Sequence, residues 1–209
     1  RIHIPKYHRR RAVSRFAMGL TVVAMTFGLF WLAWILVTLF AQGIQGLMSM
    51  PVFGMDTPPP MVEGGLRNAI VGSIMISFAG LAVGTPIGIL TGVYLAEFDQ
   101  GGWLGRATRF MNDILLSAPS IVIGLFVFAL MVQGRGFSGW AGVVALAVIV
   151  IPVVVRTTES MLLLVPNNLR EAGYALGTPK YKLVSHITLK SAKAGVITGV
   201  LLAFARIAG

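Results

Sequence analysis

Four stretches of this chain contain no charged side chain: residues 16–55, 68–96, 114–134 and 136–155. Each reaches or exceeds the roughly 20 apolar residues a helix needs to cross a bilayer core. Hydrocarbon offers no water to backbone N–H and C=O groups, so runs of this length are satisfied as α-helices. The expectation is an all-α polytopic membrane protein. A fifth apolar run opens near Ala194, and the chain stops at Gly209. That is too soon for a full crossing at about 1.5 Å per residue. With Arg rather than Met at its start, the sequence reads as a piece of a longer protein, clipped at both ends. Composition agrees: 56% of residues are hydrophobic and 11% charged, against about 25% charged in soluble domains.

The formal net charge of +10 invites a nucleic-acid reading, which the positions of the charges answer. Six basic residues stand in the tail (Arg1, Lys6, Arg9, Arg10, Arg11 and Arg15), and Arg106 and Arg109 follow the second span. Arg156, Arg170, Lys180, Lys182, Lys190 and Lys193 follow the fourth, whereas the intervening loops hold only Arg67 and Arg135. The positive-inside bias then places the N-terminus and the segment after the fourth span in the cytoplasm. The tail reads as topology signal and anionic-lipid contact. The chain has no cysteine, which excludes a disulfide framework and thiolate metal sites.

The organisation that follows is a basic cytoplasmic tail over 1–15, a first span over 16–41 and a periplasmic loop over 42–67. A second span covers 68–96, a cytoplasmic elbow 97–111, a third span 112–134 and a short periplasmic loop 135–140. A fourth span over 141–156 leads into a cytoplasmic segment over 157–193 and the start of a fifth span over 194–209. Trp31, Trp34 and Phe40 mark the far end of the first span as an aromatic belt does. The proline-rich "MDTPPPMVEGG" excludes regular structure, so an extended segment is expected there. Gly72, Gly80, Gly84, Gly88 and Gly92 line one face of the second helix and allow a neighbouring helix to approach closely. Pro86 predicts a kink in it.

The polar segment "NNLREAGYALGTPKYKL" (167–183) predicts two short helices joined by a bend. Asn168 is spaced to cap the first, with Glu171 three residues on. Gly177 supplies a left-handed end, and Thr178 and Pro179 open the second. The pair either lies flat in the headgroup layer or forms a docking knob. The glycine bend, the modest apolar faces and Glu171 favour the knob.

Here the residues resemble a known family. Glu171, Ala172 and Gly173, then Gly177, Ile187 and Leu189, match the spacing of the EAA coupling motif of ABC-importer permeases, with Gly173 in place of an Ala and Lys190 in place of a Pro. "EGGLRNAIVGS", "GTPIGILTGVYLAEF", "FMNDILLSAPSIVIGLF", "RTTESMLLLVP" and "LLAFARIAG" are similar to the PstA family of phosphate-importer permeases along the whole chain. The resemblance implies a type I importer permease fold, with about five of six spans present. It also implies a PstC-like companion permease, a PstB-like ATPase dimer that binds ATP and Mg, and a PstS-like periplasmic phosphate-binding protein. Arg170, Glu171, Ala172, Gly173 and Gly177 would form the ATPase-coupling element.

Arg206 lies about twelve residues into the fifth run, where an unpaired Arg is costly. It either pairs with a carboxylate or faces a central path and attracts an oxyanion with its fork of donors. Thr85, Ser117 and Ser120 offer hydroxyls to a passing anion or to interhelical packing. Asp113 suits the N-terminal dipole of the third span. His3, His8 and His186 form no cluster. No phosphate loop, H-E-x-x-H or paired carboxylates occur, so the chain is not expected to be an enzyme by itself or to hold a cofactor or metal. The competing readings are a permease for another oxyanion, such as molybdate or sulfate, and a membrane scaffold or sensor without a transport path.

Overall fold

The computed structural model describes residues 5–49, 53–59, 62, 64–99 and 101–208. The expectations placed on residues 1–4, which include Arg1 and His3, and on Pro60, Met61 and Glu63 of the proline-rich loop lie outside them, as does Gly209. The described residues fall into two units, 1–69 and 70–209.

In the first unit, α1 (Pro5–Ser49) is one helix of 45 residues, longer than the span expected within it because no proline interrupts the run. Its aromatic residues stack along the surface, with Phe27 edge-on to Trp31 at 6.1 Å. The loop after it is closed at its base. Gly65 and Arg67 donate backbone bonds to the carbonyls of Asp56 and Met55 at 3.1 and 3.2 Å. Asn68 Oδ1 accepts from the backbone N–H and the hydroxyl of Thr57 at 3.0 and 2.7 Å.

The second unit holds most of α2 (Arg67–Val93), followed by a π-helical turn at Tyr94–Phe98. Pro86 sits inside the unbroken helix. Then come α3 (Trp103–Ser117) and α4 (Ser120–Met131), bent by 103° at Pro119. The third span expected over 112–134 is therefore divided: its first six residues belong to α3, because Ala118 before a proline is extended. α4 alone is about 18 Å long, short of a bilayer core.

The helix expected over 141–156 runs from Gly139 to Leu163 as α5. Arg156 and Glu159 do not end it, because Pro166 is the first breaker downstream and Glu159 has a partner. After α6 (Asn167–Ala175), the chain turns at Gly177 and forms α7 (Lys180–Leu183), a π-helical turn (Val184–Thr188) and α8 (Leu189–Ala208). These last three are continuous, so the second of the two expected short helices is instead the lower part of a 29-residue helix.

Two sets of glycines build the core. A methyl group added at Gly84 would stand 2.8 Å from Val150 Cγ1, and one at Gly88 would stand 2.7 Å from Val154 Cβ. Gly80 and Gly92 meet Leu146 and Thr158 in the same way, so only glycine allows α2 this close to α5. Gly72, assigned to the same face, has nothing beside it. On the other side of α5, Gly195 and Gly199 of α8 abut Met161 and Thr157. That order makes α5 and α8 antiparallel, and Val150, Val154 and Ala203 are fully buried between them.

Candidate functional site

The end of α5 at Leu163 gathers the charged residues. Of seven acidic residues in the chain, Glu97, Asp99 and Glu159 have side chains only 6, 3 and 7% exposed, and each is bound by an arginine. Arg109 reaches from α3 to three acceptors. Its Nε donates to Glu159 Oε1 at 2.7 Å, Nη1 to Asp99 Oδ2 at 2.6 Å and Nη2 to the Leu95 carbonyl at 2.9 Å. Arg170 does the same from α6. Its Nη2 donates to Glu97 Oε1 and the Leu162 carbonyl, both at 2.8 Å, and its Nη1 to the Val165 carbonyl at 2.6 Å.

Each guanidinium thus also binds carbonyls near a helix C-terminus, Arg109 at Leu95 in the π-helical turn that follows α2 and Arg170 at Leu162 and Val165 around the end of α5. Each also neutralises a carboxylate that burial would otherwise disfavour. The Asp99 carboxyl lies below its ordinary value of 3.8, chiefly through the hydrogen bond from Arg109 and further through the Gly102 backbone N–H, with burial acting against both. Asn112, buried in α3, adds a bond to the Pro152 carbonyl at 3.3 Å. α3, α6 and the end of α2 are thereby bound to one another and to α5.

Above this base, α6 and the Gly177 turn form an exposed bend. Gly177 has φ +74°, the left-handed conformation that ends a helix. The first helix begins differently from expectation. Pro166 is its N-cap and no side chain caps it; the helix starts earlier than expected, which puts Asn168 inside its first turn, while Asn167 Oδ1 accepts from Arg170 at 3.1 Å. The cap of the second helix is Pro179. Gly173 is buried on Leu183 and Ile187, where a methyl group would stand 2.8 and 3.1 Å from their Cδ1 atoms. The glycine that departs from the motif is what lets α6 lie against α7. Glu171, Ala172, Ala175, Leu176 and Gly177 remain exposed, and Glu171 has no partner among the described residues.

The other anticipated residues lie elsewhere. Arg206 is exposed in the last turn of α8 and has no partner among the described residues. Thr85 Oγ1 is buried and likewise without one. Ser117, whose hydroxyl donates to the Ile114 carbonyl at 2.9 Å, and Ser120 flank the α3–α4 elbow. Asp113 is exposed in the middle of α3, not at a helix N-terminus. Asp99, Arg109, Glu159 and Glu97 were not anticipated as functional. Their signal was the presence of carboxylates at the ends of apolar runs, where only a bound partner makes them tolerable.

Residues 84–209 match the family described as binding-protein-dependent transport system inner membrane component. The chain is 55% identical over 202 residues to the phosphate transport system permease protein PstA of Yersinia pestis, covering 96% of this chain and 68% of that protein. It is 53% identical to the protein of the same name from Pasteurella multocida, covering 97% and 72%. Among solved structures, an inward-facing MetNI methionine ABC transporter aligns with a TM-score of 0.61 at 23% identity, over 69% of this chain and 70% of that one. The all-α importer-permease fold is thereby shared.

Proposed function

We propose a transport function from one premise: the chain belongs to the family of binding-protein-dependent transport system inner membrane components. It is a transmembrane permease subunit of an ATP-driven phosphate importer, and by itself not an enzyme. The observation that carries the substrate is the identity, 48–55% over nearly the whole chain, to relatives named phosphate transport permease PstA.

The structural features supply a mechanism for that reading. The exposed knob of Glu171, Ala172 and Gly177 is the docking element for an ATPase partner, which binds ATP and Mg. Gly173 seats α6 on α7, and Arg170 acts from inside, passing displacement of α6 to the ends of α2 and α5. ATPase closure then rocks this chain against a companion permease, and a periplasmic binding protein delivers phosphate. Arg206 faces the path and attracts the oxyanion, which accounts for an exposed arginine without a carboxylate. Thr85, with its unpaired buried hydroxyl, and Ser117 and Ser120 are lesser candidates along the path. The knob and the N-terminus lie on the cytoplasmic side.

Two measurements on the assembled complex test this. An ATPase subunit should co-purify with the parent chain and be lost on Glu171→Ala or Gly177→Pro; retention with normal uptake would remove the knob as coupler. Uptake of labelled phosphate should resist excess sulfate and molybdate. Strong competition by either would favour another oxyanion.

A further inference from the structure

A second arginine shares the circumstances of Arg206. Arg156 lies inside α5, seven residues before its end. It is exposed and has no partner among the described residues. The carboxylate best spaced to pair with it, Glu159, is held by Arg109 at 2.7 Å. An 18-residue window of α5 has mean hydropathy 2.2, and an unpaired Arg in such a helix needs a counter-charge from outside the described residues.

The packing puts Arg156 and Arg206 on one flank. Thr157 abuts Gly199 of α8, and the residue after it, Thr158, abuts Gly92 of α2. Successive residues turn about 100° round a helix, so Arg156, the residue before Thr157, lies on the side of the α5–α8 seam away from α2. On α8, Gly195, Gly199 and Arg206 are separated by four and seven residues and share a stripe. Phe204, two residues before Arg206 and so about 200° away round the helix, stacks on Phe78 of α2 at 5.3 Å, leaving Arg206 on the far side as well. Thr157 is level with Gly199, so the two arginines are offset along the seam by about 9 Å. Beyond Arg156, towards the knob, the same seam continues as an open groove lined by Met161, Leu164, Pro166, Ser191 and Gly195.

We propose that Arg156 is a second oxyanion-binding residue, which receives phosphate after Arg206 on its way along this flank towards the groove at Ser191. The proposal rests on the phosphate-importer reading above. A guanidinium fork matches a tetrahedral oxyanion in two-point hydrogen bonding. Two such forks in sequence keep the anion paired with a cation along this flank. A phospholipid headgroup presents the same chemistry, so the experiment separates the two sources.

Because the chain has no cysteine, Arg156→Cys gives it a single addressable thiol. In proteoliposomes carrying the complete transporter, phosphate kcat/KM should fall roughly ten- to hundredfold, the effect of losing a charged hydrogen-bond donor. A cationic aminoethyl thiosulfonate should restore uptake, and an uncharged methyl reagent of the same chemistry should not. Inorganic phosphate during turnover should slow labelling, whatever the anionic-lipid content. Undiminished uptake, rescue by both reagents, or labelling that follows anionic lipid and ignores phosphate would each overturn the proposal. If Arg156→Cys does not assemble, Arg156→Lys serves: a raised KM for phosphate is expected, and an unchanged KM overturns it. A parent complex that imports phosphate beside an indifferent Arg156→Cys sinks this inference alone, whereas a parent complex that imports no phosphate sinks the reading beneath it.

Discussion

Arg170 Nη2 stands 2.8 Å from Glu97 Oε1 across 73 residues of sequence, and the same guanidinium carries the carbonyls at the end of α5. The knob is therefore fastened to two long helices by one side chain. Removing the positive charge leaves Glu97 buried and unpaired, a loss of about 3 kcal/mol. Arg170→Gln should lower the melting temperature of the detergent-solubilised complex and reduce phosphate imported per ATP hydrolysed more than it reduces ATP hydrolysis. Arg170→Lys, which keeps the charge but not the fork, should fall between the two. Equal loss of hydrolysis and import would make Arg170 a direct ATPase contact.

The Arg109–Glu159 pair makes a comparable prediction for the α3–α5 junction. Arg109→Met strands two carboxylates, Glu159 and Asp99, whose side chains are 7 and 3% exposed, at a cost of about 3–5 kcal/mol or more. Adding Glu159→Gln in the same chain should recover only part of the loss, because one uncompensated charge is then gone and Asp99 still lacks its arginine. Melting curves of the two single variants and the double variant decide the point through their coupling energy.

The close approach of α2 and α5 depends on the absence of a Cβ. Gly88→Leu places side-chain carbon where Val154 Cβ already stands 2.7 Å from the first added atom, and overpacking of this kind costs about 1–3 kcal/mol or more. Gly72→Leu, with open space beside it, should have little effect on the α2–α5 contact. Comparing protease resistance of the two variants in detergent checks the difference.

Acid should loosen the α2–α3 loop in a defined window. The Asp99 carboxyl lies below 3.8 because the ionised form accepts from Arg109. A lowered carboxyl contributes its stabilisation above the unfolded value and loses it as pH falls through the folded one. Hydrogen exchange across residues 95–109 should therefore stay slow down to about that ordinary value and rise below it. Asp99→Asn should exchange faster at neutral pH and respond less to acid.

The glycine spacing of α2 was legible because a four-residue repeat is a property of one helix, and Gly80 to Gly92 meet α5 as that repeat requires. Gly72 was indistinguishable from them in sequence; what separates it is where α5 begins, at Gly139. The bend after α6 was legible through Gly177, since a left-handed helix end has a residue signature. The start of α6 was not: with Pro166 at the N-cap, Asn168 falls inside the first turn, where it is no longer placed to cap. The end of α5 was hidden as well: Arg156 and Glu159 look like a span boundary to any reading of hydropathy. Arg109, 50 residues away from Glu159, is what allows the helix to continue.

The most direct measurement is ATP-driven uptake of labelled phosphate by proteoliposomes holding the complete transporter, with the parent chain or Arg206→Gln. Uptake by the parent, and its near abolition in Arg206→Gln with the complex still assembled and ATP still hydrolysed, is the predicted result. Undiminished phosphate uptake by Arg206→Gln, or none by the parent complex, would contradict the account.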